Sequence, residues 1–454
     1  ARELGSGRRN SYTFQGQYSR NSYRKRKDSS TCMRVRGANL TPLLDTASLY
    51  PSARLIKTRD HNLAFVSAVC AFSVASLVQR RRIVPSNIAS LSMSSPSKKQ
   101  KTSGQPGADT NAVRDCLSEV NDKGEFKRVE AQWRNWISEE PDAEFPAEAG
   151  RYHLYASNAC PWANRCHCIM NMKGLEDVIS VSVTHPTWQF TKKGVDTHAG
   201  WMFKDPKDAP IANQMGLGSY DCKGCIPDFV NNCTFVRDVY ELAKDTGKKY
   251  SVPVLWDKKK KTIVSNESSE IVLMLNKCFN KFAKNPALDL FPERLTQEME
   301  DLNSFIYNDI NNGVYRCGFA KTQEAYEDAY NKLFAGLEKA EGILSKQRYL
   351  CGDTFTGMDL KLYMTLVRFD PVYVVYFKCY GKRIEEYPNL WNFVKELYQM
   401  PHVQSITNMD HIKTHYFTSH PTLNACAVIP ARKDTDMTTP HDRDRFPGKM
   451  EVVA

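Results

Sequence analysis

The clearest pattern of apolar and polar positions begins near residue 150. The mainly apolar run 152–157 predicts a β-strand, and a polar turn leads from it to Cys160 and Pro161. The apolar spacing of residues 161–173 predicts a helix, and the nearly all-apolar run 178–184 predicts a second strand. A strand, a helix and a strand in this order indicate two parallel strands that the helix covers.

The remaining ordered patterns follow a long irregular stretch. A short helix is predicted near 234–243, and the runs 252–257 and 262–265 predict a hairpin with a basic turn. A further helix begins within 266–270, and beyond about residue 285 the pattern is helical throughout. The chain therefore predicts a small α/β domain followed by an all-α domain.

The net charge of +11 is confined to the first part of the 454 residues. Residues 1–92 contain 16 basic and 4 acidic side chains, whereas the other residues contain 46 basic and 47 acidic ones. The residues after 92 therefore carry almost no net charge, whereas a nucleic-acid-binding protein usually has a strongly basic surface. We therefore predict no nucleic-acid partner.

Residues 1–110 are rich in Arg and Ser and poor in acidic residues, which is typical of a disordered or transit-like extension. Met93 is a plausible natural start, in which case residues 1–92 have no role. We expect a cytoplasmic protein, or a plastid or mitochondrial one if residues 1–92 are a genuine transit peptide.

The apolar run 63–78 is short for a membrane span, so no membrane association is predicted.

Fourteen cysteines are scattered along the chain, which indicates a reducing compartment and mostly buried free thiols. Cys222 and Cys225 have metal-knuckle spacing, but the chain has no second C-x-x-C motif. Incidental thiols or a labile disulfide are therefore favoured over zinc, and we predict no metal. Cys166 and Cys168 fall on the predicted helix and are expected in the core.

Cys160 is positioned to react. It precedes the first turn of a predicted helix, where unpaired N–H groups and the positive end of the helix dipole favour the reactive thiolate. Pro161 fits the first helical position, where no N–H is needed. Ala163 stands where a dithiol motif has its second cysteine, so Cys160 cannot close an internal disulfide at that spacing. The alternative for Cys160 is a buried structural cysteine.

Several local strings resemble the Xi class of glutathione transferases, whose members are glutathionyl-hydroquinone reductases. The resemblance covers about residues 115–430, and the strings are 157–163, 174–183, 252–258, 263–268, 311–315 and 368–373. It implies an α/β thioredoxin-like, glutathione-binding N-terminal domain at 111–283. An all-α glutathione-transferase C-terminal domain at 284–430 and a tail at 431–454 follow.

The resemblance implies a catalytic role for Cys160, with glutathione as the co-substrate. The Cys160 thiolate would attack the sulfur of a glutathionyl-hydroquinone, release the hydroquinone and form a mixed disulfide that a second glutathione resolves. Two features depart from the family. Asn164 stands where the family usually has His, and the stretch 205–233 is less familiar.

The resemblance also assigns residues to glutathione, namely Trp201, Val252, Pro253, Glu267 and Ser268, with Pro253 expected in the cis form. Glu267 and Ser268 lie at a predicted helix start, where they equally suit simple capping. Trp201 equally suits ordinary loop packing. Arg237 can pair with a glutathione carboxylate, but a surface position is the better expectation.

The implied substrate is a flat aromatic small molecule. Tyr315, Tyr416 and, more weakly, Tyr373 match the substrate-site tyrosines of the family. Tyrosine rings stack on aromatic molecules, and their hydroxyls donate hydrogen bonds to phenolate oxygens. Each tyrosine alone is more typical of a core residue. The family also implies a homodimer.

Two other functions stay open at this point. An omega-like thiol transferase or dehydroascorbate reductase would use Cys160 in the same way. A non-catalytic binding protein on the same fold would not need its thiol. The pair Tyr315 and Tyr416 favours the glutathionyl-hydroquinone reductase.

Overall fold

The computed structural model describes residues 119–431 and 433–450, which all belong to one compact unit. The basic segment 1–92 and the apolar run 63–78 lie outside the described residues. Statements about a transit peptide, a start at Met93 and localisation therefore stay predictions. No helix among the described residues has both the length and the apolar character that a bilayer crossing requires.

The N-terminal half is built on a four-stranded sheet with the order β2-β1-β5-β6. Its strands are β1 (Tyr152–Ala156), β2 (Ser180–Val183), β5 (Val254–Asp257) and β6 (Thr262–Ser265). Strand β1 pairs in parallel with β2 and antiparallel with β5, and β5 pairs antiparallel with β6. The parallel pair and the hairpin that the sequence predicts are both confirmed.

Three helices and a small hairpin complete this half. They are α1 (Pro161–Met172), α2 (Val236–Leu242) and α3 (Ser268–Lys277), with β3 (Gln189–Phe190) and β4 (Ala199–Gly200) forming the hairpin. All five residues of β1 are buried, because α1 and the neighbouring strands enclose it. The peptide bond between Val252 and Pro253 is cis, which confirms that prediction.

The C-terminal half is helical. Its α-helices are α4 (Thr296–Phe305), α5 (Gly313–Phe319), α6 (Gln323–Leu344), α7 (Gly357–Arg368), α8 (Val374–Tyr376), α9 (Pro388–Tyr398), α10 (Pro401–Gln404) and α11 (Met409–Ser419). Wider π-helical turns, Ile306–Asn311 and Phe369–Tyr373, join α4 to α5 and α7 to α8. A small thioredoxin-like α/β half followed by an all-α half is the predicted fold class, and it is confirmed.

Irregular segments interrupt the helical half, so a helical pattern throughout was too broad a prediction. Loops separate α6 from α7 and follow α11. The described residues beyond 430 pack against the helices. Arg443, which is fully buried, donates hydrogen bonds to the carbonyls of Leu344, Gln347 and Arg348.

The start of α7 carries the capping box that Thr356 and Asp359 predict. The Asp359 carboxylate accepts from the Thr356 N–H at 2.8 Å, the Thr356 hydroxyl at 3.0 Å and the Leu350 N–H at 2.8 Å. Both residues are fully buried, so these donors have no access to water. This cap fixes where α7 begins, and α7 ends at Arg368 beside the reactive cysteine.

Replacing Asp359 with alanine is expected to lower the free energy of unfolding by about 2–4 kcal/mol, because it leaves two buried N–H groups without an acceptor. Urea unfolding followed by circular dichroism measures this loss. The matched control is Thr322→Ala, which removes the exposed cap of α6 that accepts from the Ala325 N–H. We expect about 1 kcal/mol for the control. Equal losses in the two variants would contradict a special role for the buried cap.

Candidate active site

Cys160 is the N-cap residue of α1, in the turn that follows β1. Pro161 occupies the first helical position, as the sequence predicts. The thiol is partly exposed and donates a long hydrogen bond, 3.7 Å, to the Val252 carbonyl. The reactive sulfur therefore lies between the helix start and the segment that leads into β5.

Burial raises the pKa of the Cys160 thiol, and four groups oppose this effect. The N–H groups of Ala163 and Trp162 and the positive charges of Arg368 and Arg128 favour the thiolate. The helix-start contribution that the sequence predicts is present, because the N–H groups of Ala163 and Trp162 favour the thiolate. Burial, which the sequence does not reveal, outweighs it.

Arg368, at the end of α7, lies behind the Cys160 turn and is fully buried. Its Nε donates to the Ala159 carbonyl at 3.1 Å, and its Nη2 donates to the Asn158 carbonyl at 3.0 Å. Nη2 also donates to Asn164 Oδ1 at 3.0 Å, and Nη1 donates to the Met364 carbonyl at 2.7 Å. These acceptors are all neutral. No negative charge among them therefore offsets the electrostatic effect of the Arg368 guanidinium on the Cys160 sulfur.

Asn164 is the residue that departs from the family pattern, and it is 1% exposed. Its amide nitrogen donates to the Ile406 carbonyl at 3.0 Å, while its oxygen accepts from Arg368. Asn164 thus joins the guanidinium to the segment that follows α10. Its influence on Cys160 passes through the position of Arg368.

A polar cleft opens on one side of Cys160. Its walls come from the segment before β1, the start of α1, the Val252-Pro253 turn and the start of α3. Its charged lining residues are Arg128, Glu130, Asp245, Lys249 and Glu267, and its polar ones include Gln132, Ser251, Asn266 and Ser268. The predicted residues Val252, Pro253, Glu267 and Ser268 all line this one cleft. Main-chain groups beside a strand and a helix start suit a small extended peptide with charged ends.

Glu267 is the N-cap of α3, and its Oε1 accepts from the Ser269 N–H at 2.9 Å and the Ser269 hydroxyl at 2.7 Å. Burial disfavours its charged form, but these bonds and the nearby Arg165 and Arg134 hold the pKa of Glu267 below its usual range. Ser268 Oγ accepts from Arg165 Nη2 at 2.7 Å, which leaves its hydroxyl proton free to donate. A carboxylate and a donor at one helix start match an amino acid head group.

An aromatic pocket opens on the other side of Cys160. It is lined by Trp188, Trp201, Tyr315, Phe319, His415, Tyr416 and His420 in addition to the cysteine. Arg128, Trp162, Lys249 and Val252 line both this pocket and the polar cleft. A ligand that spans both regions therefore passes the sulfur of Cys160.

Three tyrosine hydroxyls are linked in the wall of the aromatic pocket. The hydroxyl oxygen of Tyr416 lies 2.7 Å from that of Tyr315 and 3.0 Å from that of Tyr373. Burial raises the pKa of each, so all three stay protonated donors at neutral pH. Tyr315 and Tyr416 line the pocket, whereas Tyr373 is fully buried and lies behind Tyr416.

Trp201 forms a rigid wall of the aromatic pocket. Its ring stacks on His415 with centroids 4.4 Å apart and meets Trp188 edge-on at 5.6 Å. Nδ1 of His415 lies 2.9 Å from the Pro186 carbonyl, so the proton of the neutral ring is placed on this nitrogen. Burial lowers the pKa of His415 well below its usual range, which keeps the ring neutral.

Comparison with known proteins agrees with this geometry. Residues 159–278 match the family of the glutathione S-transferase N-terminal domain, and residues 323–396 match that of the C-terminal domain. The chain is 41% identical over 328 residues to glutathionyl-hydroquinone reductase YqjG of Escherichia coli (strain K12), covering 71% of this chain and 93% of that protein. It is 39% identical over 315 residues to glutathione S-transferase omega-like 2 of Schizosaccharomyces pombe, covering 68% and 93%.

Solved structures show the same relation. Glutathione S-transferase Xi from Phanerochaete chrysosporium is 41% identical, with a TM-score of 0.62 that covers 70% of this chain and all of that one (100%). The chain belongs to the Xi class of glutathione transferases. The glutathione-bound structure of Escherichia coli YqjG is 40% identical with a TM-score of 0.62, covering 71% of this chain and 99% of that one. In that structure Escherichia coli YqjG holds glutathione.

The structure bears on two other expectations for this Xi-class enzyme, of which the first is wrong and the second agrees with the interpretation as incidental thiols. Arg237 is buried, not a surface residue, and it pairs with Asp196 at 2.7 Å and Glu241 at 2.9 Å, so its charge is already matched. Cys222 and Cys225 are both buried free thiols, so they form no disulfide. Within the described ranges no group of three metal-ligating side chains comes together.

Arg128 is the site residue that sequence reasoning missed. Its guanidinium lies over the rings of Phe126, Trp162 and Tyr315, at 5.4, 5.1 and 5.0 Å from their centroids. Nε donates to Asn312 Oδ1 at 3.0 Å. Arg128 belongs to an irregular segment before β1 and lies in no recognisable motif, so no local pattern indicates its role.

We expect Arg368→Gln to slow the alkylation of Cys160, because removal of the nearby positive charge raises the pKa of the thiol further. The rate of iodoacetamide labelling as a function of pH, followed by mass spectrometry on the peptide that contains Cys160, measures this change. The matched control is Arg443→Gln, which removes another buried arginine that donates to main-chain carbonyls. An unchanged pH profile in Arg368→Gln would contradict the role assigned to Arg368.

Proposed function

We propose that this Xi-class enzyme reduces glutathionyl-hydroquinones to hydroquinones at the expense of glutathione. The observation that carries the proposal is the position of Cys160. Its sulfur lies where the polar cleft meets an aromatic pocket lined by the paired hydroxyls of Tyr315 and Tyr416. The names of relatives such as Escherichia coli YqjG support this activity.

The first step transfers the glutathionyl group to the enzyme. The peptide part of the substrate occupies the polar cleft, and the ring occupies the aromatic pocket. The Cys160 thiolate attacks the glutathionyl sulfur, a sulfur–sulfur bond forms and the carbon–sulfur bond breaks. The ring reacts as its keto tautomer, in which a hydroxyl proton has moved to the carbon that bears the sulfur. The electron pair of the broken carbon–sulfur bond therefore passes to the ring oxygen, which takes up a proton as the hydroquinone leaves.

The second step restores the enzyme. The thiolate of a second glutathione attacks the mixed disulfide, oxidised glutathione leaves and Cys160 is released as thiolate. The net reaction converts one glutathionyl-hydroquinone and one glutathione into one hydroquinone and one oxidised glutathione. Ala163 supports this route, because it lies at the position where a dithiol enzyme has a resolving cysteine.

The tyrosines have a defined role in the first step. Negative charge grows on a ring oxygen while the carbon–sulfur bond breaks, and hydroxyl donors that already point into the pocket stabilise that charge. Tyr416 is held between Tyr315 and Tyr373, so its direction is fixed before substrate binds. Tyr373 acts as a positioning residue behind it.

Cys160→Ala is expected to abolish the reduction of glutathionyl-menadiol, because no other sulfur lies in the aromatic pocket. Release of menadiol, measured by liquid chromatography, gives the rate. The matched control is Cys166→Ala, which removes a buried thiol nearly two turns further along α1. Undiminished turnover in Cys160→Ala would rule out the covalent mechanism and would favour a binding protein or another nucleophile.

Tyr416→Phe is expected to lower kcat by about 100-fold, since it removes a preorganised donor from the pocket. Tyr373→Phe is the matched control, because it removes a hydroxyl of the same cluster that does not line the pocket. We expect a smaller loss there. Steady-state kinetics with glutathionyl-menadiol at saturating glutathione measures both. A loss in Tyr373→Phe as large as that in Tyr416→Phe would show that the cluster acts only through packing.

A thiol transferase or dehydroascorbate reductase activity is the second candidate, favoured by the relative named omega-like 2. Cys160 and the polar cleft serve this reaction equally, but it makes no use of the tyrosine pair. Assays of the wild type on dehydroascorbate and glutathionyl-menadiol compare the two. Equal or higher kcat/KM on dehydroascorbate would favour the second candidate.

A further inference from the structure

Arg128 lines both ligand regions, the polar cleft and the aromatic pocket. Its guanidinium lies 5.1 Å from the centroid of the Trp162 ring and 5.0 Å from that of the Tyr315 ring. Nε donates to Asn312 Oδ1 at 3.0 Å, so the rings and this hydrogen bond hold the planar group in place. A charged group that is already oriented loses little conformational entropy when a ligand binds.

The positive charge of Arg128 has no opposite charge beside it in the protein. Within the described residues, Asn312 is its only hydrogen-bond acceptor, and no carboxylate forms an ion pair with it. Other arginines of the same half do form such pairs, as Arg134 does with Glu270 and Arg151 with Asp257. The two terminal nitrogens of the Arg128 fork, Nη1 and Nη2, are therefore available to a ligand.

The other ionisable side chains of the aromatic pocket leave this charge uncompensated. Lys249 forms an ion pair with Glu119, so these two charges match each other. Burial lowers the pKa of His198 and of His420 to about 4 and that of His415 well below its usual range. These three histidines are therefore neutral at neutral pH. Within the part of the chain that the structure describes, the guanidinium gives the pocket a net positive charge.

Two groups of the proposed reaction also interact with this charge. It favours the thiolate of Cys160, but that negative charge leaves the sulfur when the mixed disulfide forms. It also lies at the edge of the polar cleft, where Lys249 and the start of α3 meet the charged ends of a peptide. Neither role explains why the guanidinium lies over the ring of Tyr315, which lines the aromatic pocket and not the cleft.

We propose that Arg128 determines substrate specificity, and that the aromatic pocket favours glutathionyl-hydroquinones whose ring carries an anionic substituent such as a carboxylate. The carboxylate accepts hydrogen bonds from the Nη1 and Nη2 groups of Arg128, while Tyr315 and Tyr416 donate to a ring oxygen. A carboxylate in an aromatic pocket without this partner would bear the desolvation cost of an unpaired charge. The proposal rests on the function proposed above and narrows its substrate class.

Two conjugates that differ only in one substituent test this specificity, namely glutathionyl-2,5-dihydroxybenzoate and glutathionyl-2,5-dihydroxybenzamide. Both carry the same glutathionyl part, so any contact of Arg128 with the peptide cancels from the comparison. Isothermal titration calorimetry with Cys160→Ala measures their binding without turnover and without the thiolate. We expect the carboxylate to bind at least about 10-fold more tightly than the carboxamide, because only the carboxylate pairs with the guanidinium. Equal affinities, or tighter binding of the carboxamide, would overturn the proposal.

Arg128→Gln in the same Cys160→Ala background tests the assignment to Arg128. We expect the preference for the carboxylate to be lost, with a much smaller change for the carboxamide. Arg128→Lys keeps the charge without the fork and should retain part of the preference. The matched control is Lys127→Gln, which removes the neighbouring exposed cation that lines neither region. Equal losses of both conjugates in a folded Arg128→Gln protein, or the same loss of preference in Lys127→Gln, would contradict the proposal. Thermal unfolding verifies that each variant is folded.

Turnover separates this proposal from the proposed reductase function. With Cys160 in place, we expect the ratio of kcat/KM for the carboxylate to that for the carboxamide to fall at least about 10-fold in Arg128→Gln. Intrinsic differences in reactivity between the conjugates cancel from this change. Turnover with the same ratio in both enzymes would overturn the specificity and leave the reductase function intact. Absence of turnover on both conjugates and on glutathionyl-menadiol would reject the reductase function and, with it, this substrate class.

Discussion

The buried guanidinium of Arg368 is the interaction on which the site depends. Four hydrogen bonds tie it to the carbonyls of Asn158, Ala159 and Met364 and to the amide oxygen of Asn164. It thereby connects the helical half to the turn that carries Cys160. The same group fixes the turn and supplies a positive charge that favours the thiolate.

This arrangement explains what an amide does at position 164. The side-chain oxygen of Asn164 accepts a hydrogen bond from Arg368 at 3.0 Å, and its amide nitrogen donates one to the Ile406 carbonyl at 3.0 Å. A neutral amide adds no charge beside the sulfur. Within this arrangement the electrostatic control of Cys160 comes from Arg368, Arg128 and the helix start, and it works against burial.

The features that sequence alone predicts are those with local causes. Cys160 at a helix start, Pro161 at the first helical position and the Thr356 cap each follow from a few adjacent residues. The glutathione and substrate residues came from the resemblance to a family. The structure brings together Val252, Glu267 and Ser268 in one cleft and Tyr315 with Tyr416 in one pocket. The assignment of these residues to ligands stays a prediction.

The features that sequence did not predict depend on distant partners. Arg368 lies more than 200 residues from the Asn158 and Ala159 carbonyls that it holds, and Arg128 lies 184 residues from Asn312. Arg237 was expected at the surface, but folding places Asp196 and Glu241 beside it and buries the group. The effect of burial on the pKa of Cys160 was likewise not predicted, because burial is a property of the whole fold and not of the helix start.

The central claim is that Cys160 takes the glutathionyl group from an aromatic carbon. A single-turnover reaction tests it directly, with glutathionyl-menadiol in excess over enzyme and no free glutathione. The account predicts one menadiol released per enzyme chain and a glutathione adduct on the peptide that contains Cys160. Added glutathione then removes the adduct and allows further menadiol to be released. Release of menadiol without an adduct, or an adduct on another cysteine, would contradict it.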